Sequence, residues 1–183
     1  MKIGIVYHSG WGHTEVLAKH IAIGIESSGQ TAYLMQWDKV DNDLLNECAA
    51  IIFGCPTYMG SASAEFKTFM DKTSAIWKTQ AWKNKFAAGF TNSAALSGDK
   101  LSTLLQLTLF AMQHSMIWVG MDLVAGVVSA KSTGEELNRL GGWLGLIAQS
   151  NIDESAETAP PQSDRRSAEY FGSRIVDVIK LKR

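Results

Sequence analysis

Short apolar runs alternate with segments of helical spacing along this chain of 183 residues. The first run, at 2–7, is rich in β-branched residues and ends in a polar, glycine-rich turn, as a buried strand does. Leu17, Ile21 and Ile25 then recur every four residues, which predicts a helix. We predict further strands at 32–36, 49–54, 85–90 and 116–120, and further helices at 62–73, 101–114 and 164–179. This alternation predicts an α/β fold with a parallel sheet.

Composition excludes several classes of protein. The formal net charge is −1, whereas a nucleic-acid binder usually has a basic face and a high pI. Cys48 and Cys55 are too few for a disulfide framework, and no apolar run reaches the roughly 18 residues that span a bilayer. The short apolar stretch at the N-terminus lacks a small-residue cleavage site and is not a signal peptide. We expect one domain over 1–183, in the reducing cytoplasm, with no nucleic-acid partner and no membrane span.

The segment 121–162 breaks the alternation. It is dense in glycine up to about residue 145, holds no period, and becomes acidic before Pro160 and Pro161. A long irregular segment inside a compact domain is usually functional or mobile. Ligands of parallel sheets bind beyond the carboxyl ends of the strands. We therefore expect a ligand-binding or catalytic site to be formed by the loops at 8–14, 55–61, 91–99 and 121–146.

The first of these loops has the composition of a phosphate-binding turn. Ser9, Gly10, Trp11, Gly12, His13 and Thr14 lead directly into a helix, whose first N–H groups favour an anion. Neither a P-loop, which ends in Gly-Lys-Ser/Thr, nor a dinucleotide fingerprint, which needs glycine where Glu15 stands, is present. The alternative is an ordinary strand–helix turn in which Ser9 or Gly12 is the helix cap.

Several segments resemble one family, in the family's order. FGCPTYMGSASAEFKTFMDKTSAIW at 53–77 and YHSGWGHTEVLAKHIAIGI at 7–25 are similar to the aromatic loop and phosphate loop of WrbA-like NAD(P)H:quinone oxidoreductases and NADPH-dependent FMN reductases. AMQHSMIWVGM at 111–121 and, more weakly, LGGWLG at 140–145 also match. The resemblance implies a flavodoxin-like, doubly wound, five-stranded parallel sheet of order 2-1-3-4-5, with helices on both faces.

The resemblance also implies noncovalently bound FMN and its contacts. The first loop would hold the phosphate, the second would line the isoalloxazine ring, and the third would close over the ring and ribityl chain. The implied cofactor-binding residues are Ser9, Gly10, Trp11, Gly12, His13, Thr14, Pro56, Thr57, Tyr58, Met59, Gly60, Thr91, Asn92, Ser93 and Gly98. His114 would approach the ring as the catalytic residue and relay a proton. The alternative for His114 is a helix C-cap favoured by the helix dipole.

Several other residues depart from the family pattern or have side chains that bear on function. The loop at 91–98 is poorer in glycine than the family's, and Tyr58 stands where the quinone reductases often carry Arg. Cys55 is expected to be inert packing, and Asp99 a helix cap or first-turn acid. Trp143 either packs locally or reaches a neighbouring subunit. The His residues lack partners at ligand spacing, so no metal site is predicted.

Three hypotheses follow. The first is an FMN-dependent oxidoreductase that takes hydride from NADH or NADPH and reduces a quinone or another flat aromatic acceptor by two electrons. The second is a flavodoxin-type electron carrier without nicotinamide activity, which the near-zero charge disfavours because such carriers tend to be acidic. The third is a flavin-free interaction domain. The family implies a homodimer or homotetramer, with which the apolar stretch 140–147 is compatible.

Overall fold

The computed structural model describes residues 1–181, so the last two positions of the domain predicted over 1–183 lie outside the described residues. The strands are β1 (Lys2–Tyr7), β2 (Thr31–Gln36), β3 (Ala50–Tyr58), β4 (Ser61–Ala62), β5 (Phe86–Ser93), β6 (Ile117–Trp118) and β7 (Leu146–Gln149). The helices are α1 (His13–Ser27), α2 (Asn42–Glu47), α3 (Ala64–Lys72), α4 (Ser74–Thr79), α5 (Lys100–Gln113) and α6 (Gln162–Leu181).

The sheet has the predicted flavodoxin-like order. Its path is β2-β1-β3-β5-β6, with parallel pairing throughout, and β5 and β6 are the predicted fourth and fifth strands. Side chains alternate across each strand, so Ile3 and Ile5 face α1 and α6 while Val6 joins the core beneath α3 and α5. Helices therefore cover both faces, and the predicted fold class is confirmed.

The fifth position of the sheet is built from two separate pieces of chain. β6 pairs with the first residues of β5, and β7 pairs with its last four. The prediction of one strand at 116–120 was too long, and the prediction of irregular chain at 146–149 was wrong. Strands of two and four residues are too short to show a hydrophobic period in the sequence. Each is short because it pairs with only half of the edge of β5.

Two central strands run further than predicted. β3 continues through Pro56, where Cys55 pairs with Thr91 and Pro56 with Asn92. β1 has already ended opposite Gly54, so β3 has no β1 partner from which a proline would remove a ladder bond. β5 likewise continues to Ser93. The extensions carry the second and third loops to the same edge of the sheet as the first.

Helices α1 and α6 meet backbone to backbone at two glycines. A Cβ atom on Gly24 would lie 1.9 Å from the carbonyl oxygen of Glu169, and one on Gly172 would lie 2.2 Å from that of Ile21. Because only glycine allows this approach, the contact holds α6 closely against α1 on one face of the sheet, where α6 also reaches β7. It thereby fixes the segment that enters α6 from the carboxyl edge of the sheet.

Candidate functional site

A cavity of about 440 Å³ opens at the carboxyl edge of the sheet. Its lining contains neither Asp, Glu, Lys nor Arg. The lining residues are Ser9, Gly10, Trp11, His13, Thr14, Pro56, Thr57, Tyr58, Met59, Asn92, Ser93, Ala94, Ser150 and Ile152. The three predicted loops thus meet around one space, together with a fourth segment that follows β7.

The first turn leaves backbone donors free. Helix α1 begins at His13, and Gly12 before it has φ +89°, a conformation that glycine adopts without strain. Ser9 Oγ accepts a hydrogen bond from the Glu15 N–H at 3.1 Å. Within the described residues, the N–H groups at 10–14 donate to no protein acceptor. A turn with these free donors at a helix start binds an anion without a basic side chain.

The second loop lies directly against the first. A Cβ atom on Gly10 would lie 2.6 Å from the hydroxyl oxygen of Tyr58, so a larger residue at position 10 would displace the end of that side chain. Burial raises the pKa of Tyr58, which therefore keeps its proton at neutral pH. Met59 has φ +48° and is fully exposed at the rim of the cavity. Thr57 faces inward, where its hydroxyl lies 2.8 Å from those of Thr91 and Thr103.

The third loop contributes Asn92, Ser93 and Ala94. Thr91 was predicted to contact the cofactor, but its side chain is buried and donates to the Cys55 carbonyl at 2.7 Å. Strand alternation explains this correction, because β5 still continues at this position and turns the side chain into the core. Gly98 has φ +53°, and a Cβ atom there would lie 2.0 Å from Ser93 Oγ. Gly98 thus packs directly against the Ser93 side chain, and a larger residue there would displace it.

Eleven of the predicted cofactor residues line the cavity, whereas Gly12, Gly60, Thr91 and Gly98 shape the loops around it. Trp11 stands at the rim with 81% of its surface exposed. Asp99 was expected to cap α5 or to act as a first-turn acid. It has φ +52°, caps the helix without a side-chain hydrogen bond and precedes the first turn.

Sequence reasoning missed the segment that closes the cavity beside the first turn. Ser150 Oγ donates to the Asn92 side-chain oxygen at 3.1 Å, and Ile152 is exposed at the rim. His13 Nε2 lies 2.8 Å from the Glu154 carbonyl, so its side chain also takes part. The only signal in the sequence was the irregular character of the segment 121–162, and this does not indicate which of its residues reach the cavity.

His114 lies away from this cavity, contrary to prediction. Helix α5 leaves the carboxyl edge and runs 14 residues, or about 20 Å, towards the opposite edge. There Ser115 accepts a hydrogen bond from the N–H of Asn84, just before β5 begins. His114 is 2% exposed and bonded through Nε2 to Thr73, and burial lowers its pKa to about 4. It is a packed residue against Trp82 and Phe110, and it cannot relay protons at this cavity.

Two further findings concern the chemistry of the chain. Burial raises the pKa of Cys55 to about 12, so the thiol is protonated and unreactive at neutral pH. Within residues 1–181, no three His, Cys, Asp or Glu side chains come together in a way that could hold a metal ion. None of the helices described there is long and apolar enough to cross a membrane.

The doubly wound sheet, with free backbone donors in the turn that leads into α1, is typical of a flavodoxin-like protein. The profile of a family described as NADPH-dependent FMN reductase matches residues 41–129. The chain is 38% identical to flavodoxin FldP of Pseudomonas aeruginosa, over 97% of this chain and 96% of that protein. It is 33% identical to quinone-oxidoreductase QR2 of Triphysaria versicolor, over 98% of this chain and 95% of that protein.

A solved structure agrees. The flavodoxin, WrbA-like protein from Agrobacterium tumefaciens matches with a TM-score of 0.75 at 34% identity, over 100% of this chain and 99% of that one. The chain therefore belongs to the flavodoxin-like family of NAD(P)H:quinone oxidoreductases and FMN reductases. FMN is the cofactor of this family, and NAD(P)H is its electron donor.

Proposed function

We propose that the protein is an FMN-dependent oxidoreductase that transfers two electrons from NADH or NADPH to a quinone or a similar neutral aromatic acceptor. The observation that carries the proposal is the cavity at the carboxyl edge, whose lining contains no Asp, Glu, Lys or Arg side chain. An uncharged lining with exposed Trp11, Tyr58 and Met59 at its rim suits a flat apolar molecule better than a charged one.

The residues present fit FMN. The free N–H groups at 10–14 and the hydroxyls of Ser9 and Thr14 supply donors for a phosphate. Tyr58, Met59, Asn92 and Ser93 would surround the ring, and Pro56 and Thr57 also line the cavity. When bound, FMN supplies hydride acceptance and electron transfer to the acceptor, and the protein supplies orientation and exclusion of water. With His114 remote, no side chain is assigned to proton transfer.

A second candidate function is a flavodoxin-type carrier, which receives and passes electrons without nicotinamide activity. Its support is the 38% identity to a relative that is named a flavodoxin. Carriers of this kind dock on positively charged partners through acidic surfaces. A formal net charge of −1 and an uncharged cavity rim favour the reductase.

Purification followed by steady-state kinetics tests both candidates. We expect the protein to carry FMN and to oxidise NADH or NADPH with benzoquinone as acceptor. Bound FMN with no turnover by either nicotinamide, together with a stable one-electron flavin radical, would replace the reductase by the carrier. Protein that binds no FMN would instead support the third hypothesis, a flavin-free interaction domain.

We also propose that the single domain assembles into a homodimer or homotetramer. Support comes from helix α5, where Leu101, Leu105, Leu109 and Met112 form an exposed apolar stripe. The stretch 140–147 is a poorer interface than expected, because Leu146 is buried in β7 and Trp143 is its only strongly exposed apolar side chain in the described structure. Light scattering should show a multimer that Leu105→Glu dissociates, whereas Ile23→Glu, on exposed α1 surface, should leave it intact.

A further inference from the structure

The third loop is held from beneath by a buried lysine. Lys100, at the start of α5, is 1% exposed. Its Nζ donates to Ser93 Oγ at 2.9 Å, to the Ala95 carbonyl at 2.8 Å and to the Leu96 carbonyl at 2.9 Å. An ammonium group has three N–H donors, so all of them are used within this one loop.

A second side chain, the half-buried Gln149, continues the pattern. Gln149 Nε2 donates to the Ala94 carbonyl at 2.8 Å, so the carbonyls of 94, 95 and 96 all accept from the side chains of Lys100 and Gln149. A trans peptide points its C=O and the following N–H in opposite directions. The N–H groups of 95, 96 and 97 therefore point away from Lys100 and Gln149. Within the described residues they donate to no protein acceptor.

The charges around Lys100 are few. Asp164, 1% exposed, pairs with Arg139 through bonds of 2.7 and 2.9 Å and also accepts the Gln149 N–H at 2.9 Å. Burial lowers the pKa of Lys100 to about 8, while Asp164 opposes and Arg139 adds to that effect. Lys100 thus carries its charge at pH 7 and loses part of it within the ordinary experimental range.

We propose that Lys100 is a positioning residue, which by clamping the loop at 93–97 presents its backbone N–H groups and the Ser93 side chain to the flavin. This inference rests on the proposed function, since it takes the neighbouring cavity to be the FMN site. The charged form makes three bonds to the loop, and the neutral amine has only two N–H donors for the same acceptors. FMN binding therefore weakens as Lys100 loses its proton.

FMN titration of flavin-free protein, followed by flavin fluorescence between pH 7 and 9, tests the proposal. Lys100→Met should raise the FMN dissociation constant by about tenfold at pH 7, the order expected for one strong hydrogen bond. Lys100→Arg keeps a charge that does not titrate, but its planar fork cannot reach three converging acceptors. We expect it to bind FMN more weakly than wild type and independently of pH, whereas the wild-type constant rises above pH 8.

Lys85→Met is the matched control. Lys85 is partly buried, has a pKa lowered by burial, and donates to the carbonyls of Asn46 and Cys48 at 2.7 Å, at the opposite end of β5. This variant should keep the wild-type FMN affinity and pH profile. Limited proteolysis of flavin-free protein should cut Lys100→Met, but not Lys85→Met, faster within 93–98, and this readout does not depend on flavin.

The outcomes separate the two proposals. Wild-type protein that fails to bind FMN overturns the proposed function, and unchanged proteolysis at 93–98 then overturns the clamp as well. If FMN binds, wild-type affinity in Lys100→Met, or the wild-type pH profile in Lys100→Arg, overturns the clamp alone. Should Lys100→Met not fold, as judged by circular dichroism, the pH profile of Lys100→Arg decides.

Discussion

Thr14 offers a clean test of the phosphate turn. Its side chain lines the cavity but is 2% exposed, and in the described part of the chain its hydroxyl has no protein partner. Thr14→Val keeps the shape of the side chain and removes only the hydroxyl. Ser9→Ala is different, because Ser9 Oγ also accepts the Glu15 N–H of the first turn of α1. The two variants should therefore differ in stability while sharing a loss of affinity.

The magnitudes follow from the bonds removed. A hydrogen bond to a charged group contributes about 1.5–3 kcal/mol. At about 1.4 kcal/mol per factor of ten, each variant should weaken FMN binding by about 10- to 150-fold. Ser9→Ala should in addition lower the free energy of unfolding by about 1 kcal/mol through the lost hydrogen bond from the Glu15 N–H. Thr14→Val should unfold at the wild-type urea concentration, since no protein bond is lost.

Flavin-free protein of each variant is titrated with FMN and unfolded in urea. FMN affinity unchanged in both variants would mean that the phosphate binds elsewhere. Equal loss of stability in both would show that the Thr14 hydroxyl has a structural role inside the turn. Riboflavin, which lacks the phosphate, should bind both variants as weakly as it binds wild type, and this control ties the loss to the phosphate.

Further predictions concern stability, measured by urea unfolding. Burial lowers the pKa of His114 to about 4 from 6.5, so the unfolded chain binds a proton that the folded chain does not, and up to about 3 kcal/mol of stability is lost between pH 6.5 and 4. His114→Phe should flatten that pH dependence; an unchanged slope would contradict it. Gly24→Ala should cost about 1–3 kcal/mol through the contact with Glu169, and wild-type stability would refute the close approach. Asp164→Asn leaves Arg139 without its buried partner and should cost about 3–5 kcal/mol; a loss below 1 kcal/mol would show that the pair is solvated.

Sequence reasoning reached the fold and the three loops because both depend on local signals. Apolar runs such as Ile51 to Phe53 identify buried strands, and Ser9, Gly10 and Gly12 identify a turn that leaves donors free. Topology then brings the carboxyl ends of β1, β3 and β5 together whatever the loops contain. The contact between Tyr58 and Gly10 follows from this topology, because the loops after β1 and β3 lie side by side.

The predictions were wrong for residues whose location depends on distance along a helix or on long-range strand pairing. His114 follows a predicted helix, but a helix that starts at the carboxyl edge ends about 20 Å from it, and residue type does not show that. β7 belongs to the sheet only because β6 leaves β5 half covered, a relation between residues about 30 positions apart. Lys100 looked like an ordinary residue near a helix start, since burial of its ammonium depends on the turn of the chain at 93–96.

The third loop also shows how a departure from a family pattern can be accommodated. A loop rich in glycine reaches unusual conformations through backbone freedom. This loop has few glycines, and Gly98 and Asp99 alone among the residues at 91–100 adopt positive φ in the structure described. Side-chain donors from the buried Lys100 and the half-buried Gln149 instead set the direction of three successive carbonyls. Side-chain hydrogen bonds thus supply order that a glycine-rich loop would gain only on binding its ligand, which predicts a smaller entropic cost of flavin binding here.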